Sequence, residues 1–464
     1  MRLLFVGWWI VMLAAGGALG AGKPRLLVLT DMGADPDDQQ SMVRLLLYSN
    51  EFEIEGLIAT SAGTTGKREQ HATHPELIRE LMAAYGEVRG NIVKHGEGYP
   101  PAEELLARIK VGSSQRGSEA IGKGQDTEAS GWIIRVVDKP DPRPLCVSIW
   151  GGQTDLAQAL WRVREDRGEE GLRQFVSRLR IYDVADQDGL AGWIQEAMGI
   201  DHVAKAVGTA HPRYIQAGAP AGRDKREGVF RGMYLGGDET LVSREWMETN
   251  IRQKHGPLGA LYPPKTWTAP NPHSAMKEGD TPSWLFFLPQ GLNDIEHPEW
   301  GGFGGRFERG SDGVYRDACD TVGDVTDARA TVWRWREAVQ ADFAARMDWC
   351  LAEKFEKANH AAVAVLNGDR SRDVLRLEAK AGETVKLSAA GSNDPDGDAI
   401  RYRWFVYKEP SVMADDVVLA STEGDMTTCT TPRKDMVSIH VVLQVTDNGS
   451  PPLSVFRRVV IAFR

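Results

Sequence analysis

The chain is expected to be an α/β protein, a mostly parallel sheet with helices on both faces, followed by a small all-β sandwich. Three observations predict this. From Lys23 to about Ala345, short apolar runs alternate with helix-like stretches, the pattern of repeated βα units. After Gly368 the period changes to two, with Gly, Asp and Pro turns between runs. The length, 464 residues, also exceeds what a single core usually serves. The expected organisation is a leader over 1–22, an α/β domain over 23–350, a linker over 351–369 and an Ig- or cadherin-like sandwich over 370–464.

The elements follow in order. "RLLVLT" reads as a buried strand and "DDQQSMVRLLLYSN" as an amphipathic helix. "EIEGLIATS" is a second strand and "HPELIRELMAAYGEV" a second helix. "PLCVSIWGG" and "RLRIYDVAD" are further strands, each followed by a helix, "TDLAQALWRVRED" and "GLAGWIQEAMG". In such sheets the site lies beyond the carboxyl ends of the strands. The loops "TDMGADPDDQQ", "ATSAGTT", "IWGGQTD" and "VADQD" all fall at such ends.

Composition narrows the partners. The net charge is −10 with acidic and basic residues well mixed, which argues against nucleic acid or an anionic membrane. A neutral sugar is compatible with it. The 14 Trp residues suit sugar stacking, although core packing takes the larger share. Arg2, the apolar run "LLFVGWWIVMLAA" and the small residues "ALGAG" predict a secretory signal. The run is shorter than the roughly 20 residues of a membrane span, so a periplasmic or extracellular protein is expected, with no membrane contact after cleavage. Cys146, Cys319, Cys350 and Cys429 form no dense framework; Cys146 reads as a buried thiol, and Cys319 with Cys350 is a candidate bridge.

The acidic loop carries the chemistry. Pro36 suits the first turn of a helix, Asp35 is a natural N-cap, and Asp37 and Asp38 favour the helix dipole. Capping accounts for one or two of these carboxylates. It does not account for Asp31 at the strand end, or for the crowding of Asp31, Asp35, Asp37 and Asp38. A hard cation, calcium above all, would relieve their repulsion.

A strand, an Asp-rich turn ending in Asp-Asp, and then a helix resembles the entry of the nucleoside hydrolase fold. There the usual pattern is Asp-x-Asp-x-Gly-x-Asp-Asp; here it is altered to Asp31-x-Gly33-x-Asp35-Pro36-Asp37-Asp38. More specifically, the chain is similar to a branch of secreted bacterial proteins with such a domain and a C-terminal sandwich, some described as cellulose-binding. The matching segments are "TDMGADPDDQQSMVRLLLYSNEFEIEGLIATSAGT", "DPRPLCVSIWGGQTDLAQALW", "EGDTPSWLFFLPQGLND" and "HPEWGGFGGRF".

The resemblance implies roles residue by residue. Asp38 matches the metal-binding second Asp of the pair and Asp37 the sugar-binding first. Asp31 or Asp35 matches the early Asp that binds calcium, and Asp31 is the candidate that activates water. "GGQTDLAQAL" implies that Thr154 offers its carbonyl to the metal. "EGDTPSW" implies that Asp280 is a distant carboxylate ligand, with N-capping before Pro282 as its plain role. Thr64, Asp186, Gln187 and Asp188 are the substrate-binding candidates, and the last three also suit a turn.

Gly279 stands where many members carry the His that assists the leaving group. Glu278, Asp294 and His297 are near in sequence, without a motif that names one as the acid. The implied activity is hydrolysis of an N-glycosidic or related bond by a calcium-activated water. The alternative is a non-catalytic protein that binds cellulose or another plant polysaccharide.

In the C-terminal region, "LSAAGSNDPDGDAIRYRW" and "VTDNGSPP" resemble polycystic-kidney-disease and cadherin-like sandwich modules. Asp394, Asp396 and Asp398 fit a calcium loop, but turn formation by Asp-Pro and Asp-Gly carries more weight. Trp404 is expected in the core.

Overall fold

The computed structural model describes residues 22–61, 71–199, 213–218, 228–269, 272–412, 414, 417–430 and 438–463. The expected leader up to Ala21 and the candidate Thr64 lie outside them.

Alternation along the first strand explains the layering. In β1 (Arg25–Thr30), Leu26 and Val28 enter one core, and Leu27 and Leu29 enter the other. Successive side chains point to opposite faces, so a strand apolar at every position must be covered on both sides. The first core takes helices Asp37–Leu47, Pro75–Ile92 and Arg336–Trp349; the second takes Glu128–Val137 and Thr154–Val176.

The other strands of the sheet are β2 (Glu53–Ala59), β3 (Ile109–Val111), β4 (Leu145–Ile149), β5 (Leu179–Val184), β6 (Arg213–Ala217), β7 (Phe307–Arg309) and β8 (Tyr315–Asp317). Their order is β3-β2-β1-β4-β5-β6-β8-β7. All neighbours are parallel except β7 and β8. The order reverses between β1 and β4, where Leu29 pairs with Ile149. A crevice opens at such a switch point, beyond the strand ends. Asp31 leaves β1 there, and Trp150 leaves β4.

The C-terminal region is a sandwich of two sheets. One contains Leu375–Ala379, Ser454–Phe463, Ser438–Thr446 and Arg401–Val406; the other contains Thr384–Ser388, Met426–Thr430 and Val418–Leu419. Pairing is antiparallel except between Leu375–Ala379 and Ser454–Phe463. Trp404, Leu387, Cys429, Val441 and Ile461 fill the space between the sheets. Ala362, Ala364 and Leu366, within the segment expected as a linker, are buried in that same core, and Val363 bridges to Asn393. Cys350 is a free buried thiol, so the expected Cys319–Cys350 bridge is not made.

The two domains interlock. Arg458 of the sandwich is fully buried and donates to the carbonyls of Trp300 (2.6 Å) and Gly301 (3.2 Å). Tyr407 Oη donates to Asp320 (2.6 Å), which also pairs with Arg334 and Arg306. Two of the acids considered from sequence lie in or beside this junction. Asp294 pairs with Arg376, and His297 stacks on Trp300 at 4.1 Å. Arg458→Ala leaves two carbonyls unpaired in a dry junction. It is expected to cost about 2–4 kcal/mol by denaturant unfolding.

Candidate functional site

The carboxyl end of β1 continues through Asp31 into a tight turn, with the Ala34 amide donating to the Asp31 carbonyl at 3.1 Å. Gly33 has φ of +113°, and a Cβ there would collide with the His74 ring. On the facing loop after β4, a Cβ at Gly151 would stand 2.6 Å from Asp31. Glycine therefore lets the two strand ends close on the same spot.

Asp37 and Asp38 open the helix Asp37–Leu47, where the dipole favours anions. The expected cap by Asp35 is not formed: Pro36 holds the cap position without a side-chain bond. The Asp35 carboxylate turns instead to the Trp267 amide (2.6 Å), the Thr268 amide and hydroxyl, and Lys277 Nζ (2.8 Å). Those donors bind it more fully than an N-terminal amide would. Lys277 Nζ also pairs with Asp37 at 2.6 Å.

Asp280 arrives from the far side of the chain. It occupies the N-cap of the short helix Thr281–Leu285, yet its side chain makes no capping bond. One oxygen each of Asp37, Asp38 and Asp280 lies within 4.8 Å of the others, and all three residues are buried. Asp280 Oδ2 has no hydrogen-bond partner. Asp38 accepts from the Thr30 hydroxyl.

The segment bearing Lys277 and Asp280 is tied to the Asp37–Leu47 helix by buried groups. Arg44 Nε donates to Glu278 at 2.6 Å, and its Nη2 reaches Gln340 at 2.6 Å. Tyr262 Oη donates to Glu278 at 2.6 Å. Gln40 Oε1 accepts from the Lys277 amide at 2.9 Å. Glu278 is thus an anchor, fully buried, and is absent from the cavity wall.

The cavity measures about 360 Å³ and is lined by Asp31, Asp35, Asp37, Asp38 and Asp280, with Lys277, Arg116, Arg231, Trp150, Phe230 and Gln187 among the rest. Gln187 also donates to the Trp150 carbonyl. Asp186 and Asp188 build the loop beneath. Asp186, at φ of 46°, accepts from Gln153 (2.8 Å) and the Ala191 amide (2.9 Å). Asp188 accepts from Arg116 Nε (2.7 Å) and the Thr154 hydroxyl (2.6 Å). The Thr154 side chain thus points into the Asp188 network, and Thr154 is not among the cavity-lining residues.

Lys277 and Arg116 were not singled out from sequence. Lys277 stands in "KEGD" just before Asp280, and that proximity was the available signal.

Electrostatics follow from this packing. Burial, then the charges of Asp280, Asp31 and Asp37, push the Asp38 pKa well above the ordinary carboxylate range. Burial, then Asp37, raises Asp280 in the same way. Burial also opposes ionisation of Asp35, but Lys277 outweighs it and holds Asp35 below its usual value. Burial likewise raises Asp183, beneath the site, to about 7. A divalent cation fits this donor set: three buried carboxylates, one orphaned oxygen, and repulsion that a cation would remove.

The parallel sheet and the carboxylate cavity at its switch point define a nucleoside-hydrolase-like protein. The chain belongs to the cellulose-binding Sde182 family. Residues 25–307 match its nucleoside hydrolase-like domain, and residues 384–463 match the C-terminal domain of cellulose-binding protein Sde0182. A solved structure of a nucleoside hydrolase-related hypothetical protein from Saccharophagus degradans, associated with carbohydrate metabolism, is 33% identical. It covers 96% of this chain and 100% of that one, with a TM-score of 0.75. A PapD-like domain of human CEP192 matches 22% of this chain and 85% of that one at 8% identity, with a TM-score of 0.16. No curated protein matches the chain.

Two outcomes test the site. The raised carboxylates contribute stability at low pH that is lost as pH rises through their folded pKa values. In chelator at pH 7–8, Asp38→Asn and Asp280→Asn are therefore expected to melt a few degrees above wild type, with the gap closing as pH falls. Arg44→Met strands the buried Glu278 carboxylate and is expected to cost about 3–5 kcal/mol in denaturant unfolding.

Proposed function

We propose that the chain is an exported carbohydrate-recognising protein whose carboxylate cavity takes a sugar unit together with a divalent cation, and that it hydrolyses an N-glycosidic or related bond. The observation that carries this reading is Asp280. It is drawn from a distant segment into a buried cluster with Asp37 and Asp38, and one oxygen is left without a partner. A cost of that kind is kept where a ligand relieves it.

Calcium suits the all-oxygen donors, and when bound it would lower the pKa of a water and polarise sugar hydroxyls. Asp37, Asp38 and Asp280 are the residues that would hold it. Asp31 lines the cavity wall and is the carboxylate that would take a proton from water. Arg116, fixed by Asp188, supplies donors to sugar oxygens, and Phe230 and Trp150 supply apolar surface. Lys277 is a poor acid: burial opposes its charge, but Asp37 and Asp35 hold its pKa far above neutrality. With Gly279 beside it, the cavity favours leaving groups that depart without a proton.

A second reading is binding alone, with cellulose or another plant polysaccharide as ligand. It is favoured by the ion pair of Lys277 with Asp37, which already engages one of the three carboxylates that would hold a cation. Family membership supports carbohydrate as the ligand class in both readings. Trp267, 40% exposed and next to the cavity-lining Thr268, offers a stacking face at the mouth.

The experiment is a screen of aryl glycosides and nucleosides beside a cellulose pull-down. Turnover that Asp31→Asn lowers at least a hundredfold, with binding retained, supports hydrolysis. Cellulose retention without turnover selects the binding reading, and absence of both overturns the two. Trp267→Ala is expected to weaken retention of soluble cellulose oligomers severalfold in affinity electrophoresis.

A further inference from the structure

A charged side chain that the hydrolytic reading does not use reaches into the acidic group of the cavity. Lys277 is 8% exposed and lines the cavity wall. An ammonium has three hydrogens, and here each has an acceptor: Asp35 Oδ2 at 2.8 Å, Asp37 Oδ2 at 2.6 Å and Thr268 Oγ1 at 2.8 Å. No hydrogen is left over for a ligand, so the ammonium acts on the cavity as a fixed charge.

The charge is held from both ends. The Lys277 amide donates to Gln40 Oε1 at 2.9 Å, and the next residue, Glu278, is clamped by Arg44 and Tyr262. Asp35, in turn, is fixed by the Trp267 and Thr268 amides. The ammonium therefore lacks the freedom of a solvated surface lysine to retreat from Asp37. Gly279 presents no side chain to the same oxygen; a Cβ there would stand 3.3 Å from Asp37 Oδ2. The other two carboxylates that would hold a cation are differently placed. Asp38 accepts from the Thr30 hydroxyl, and Asp280 Oδ2 has no partner.

We propose that Lys277 is an internal counter-cation that sets the divalent affinity of the cavity, competing for Asp37 and holding that affinity down. The inference rests on the cation reading of the cavity. Two positive charges on one carboxylate repel, and inside a protein that repulsion is weakly screened. Affinity for calcium also rises with the charge of its ligands, part of which the ammonium cancels. With Lys277 in place the site is expected in the range of extracellular calcium modules, about 0.1–1 mM. The consequence is a cavity whose cation occupancy follows the calcium level around the protein instead of being permanent.

The test titrates calcium alone into the full chain by calorimetry. The affinity of the cavity is read, on each background, from the binding that Asp280→Asn removes. Lys277→Gln is expected to bind calcium there at least tenfold more tightly than wild type, and Lys277→Arg, which keeps the charge, no more tightly. Loss of structure does not produce a gain of affinity, so the gain separates charge competition from a supporting role. Calcium is also expected to raise the melting temperature of Lys277→Gln more than that of wild type. Lys277→Met makes the same comparison if the glutamine variant does not fold. Equal or weaker binding by the uncharged variants, with wild-type binding present, overturns the role of Lys277 and leaves the cavity reading standing. Absence of binding that depends on Asp280 in wild type and uncharged variants alike, at millimolar calcium, removes the cation reading and this inference with it.

Discussion

The buried pair of Arg44 and Glu278 is the constraint on which the site depends. Arg44 lies one turn and more along the helix that Asp37 and Asp38 begin, and Glu278 lies between Lys277 and Asp280. Joining them sets the two acidic segments against each other with a fixed register. The pair is dry, and a dry ion pair is tolerable only when its remaining donors and acceptors are satisfied. Gln340, Val339, Tyr262 and Thr281 complete that set. Glu278 adopts φ of 44°, an uncommon conformation for a residue with a side chain, and its hydrogen bonds hold it there.

Around this anchor the charges divide into two groups with opposite physics. Asp35 is paired, hydrogen-bonded and easy to ionise, and serves as a structural brace for the Trp267–Thr268 loop and Lys277. Asp38 and Asp280 are buried beside other carboxylates and are hard to ionise. Asp37 lies between the groups: burial raises its pKa, and Lys277 only partly offsets this. The fold thus concentrates electrostatic cost at one point, the buried Asp38 and Asp280 carboxylates.

The sandwich belongs to the same folded unit in a physical sense. Tyr407, Val442 and Phe456 enter the apolar core that also holds Trp335 and the helix Arg336–Trp349. Asp320 collects Arg306, Arg334 and Tyr407 at the junction, so charge is neutralised across the boundary as well as apolar surface buried. The segment 359–366 packs on the sandwich because its small apolar residues face inward, leaving little free chain between the domains.

The sequence by itself determined the βα rhythm, the parallel sheet, the C-terminal sandwich and the crowding of carboxylates in the Asp31–Asp38 loop. These are local or motif-level properties: period, strand ends and residue type. Trp404 in the sandwich core was legible for the same reason, as an apolar residue in a period-two run. What only the tertiary structure decided was which partners each carboxylate finds. Asp35 was read as a cap because capping is judged from neighbours in sequence, whereas its partners Trp267, Thr268 and Lys277 lie more than two hundred residues away. Glu278 looked available as an acid until Arg44 was placed against it. Asp188 turned toward both Thr154 and Arg116. Long-range pairing of charges depends on which segments the sheet order brings together, and no local pattern encodes that order.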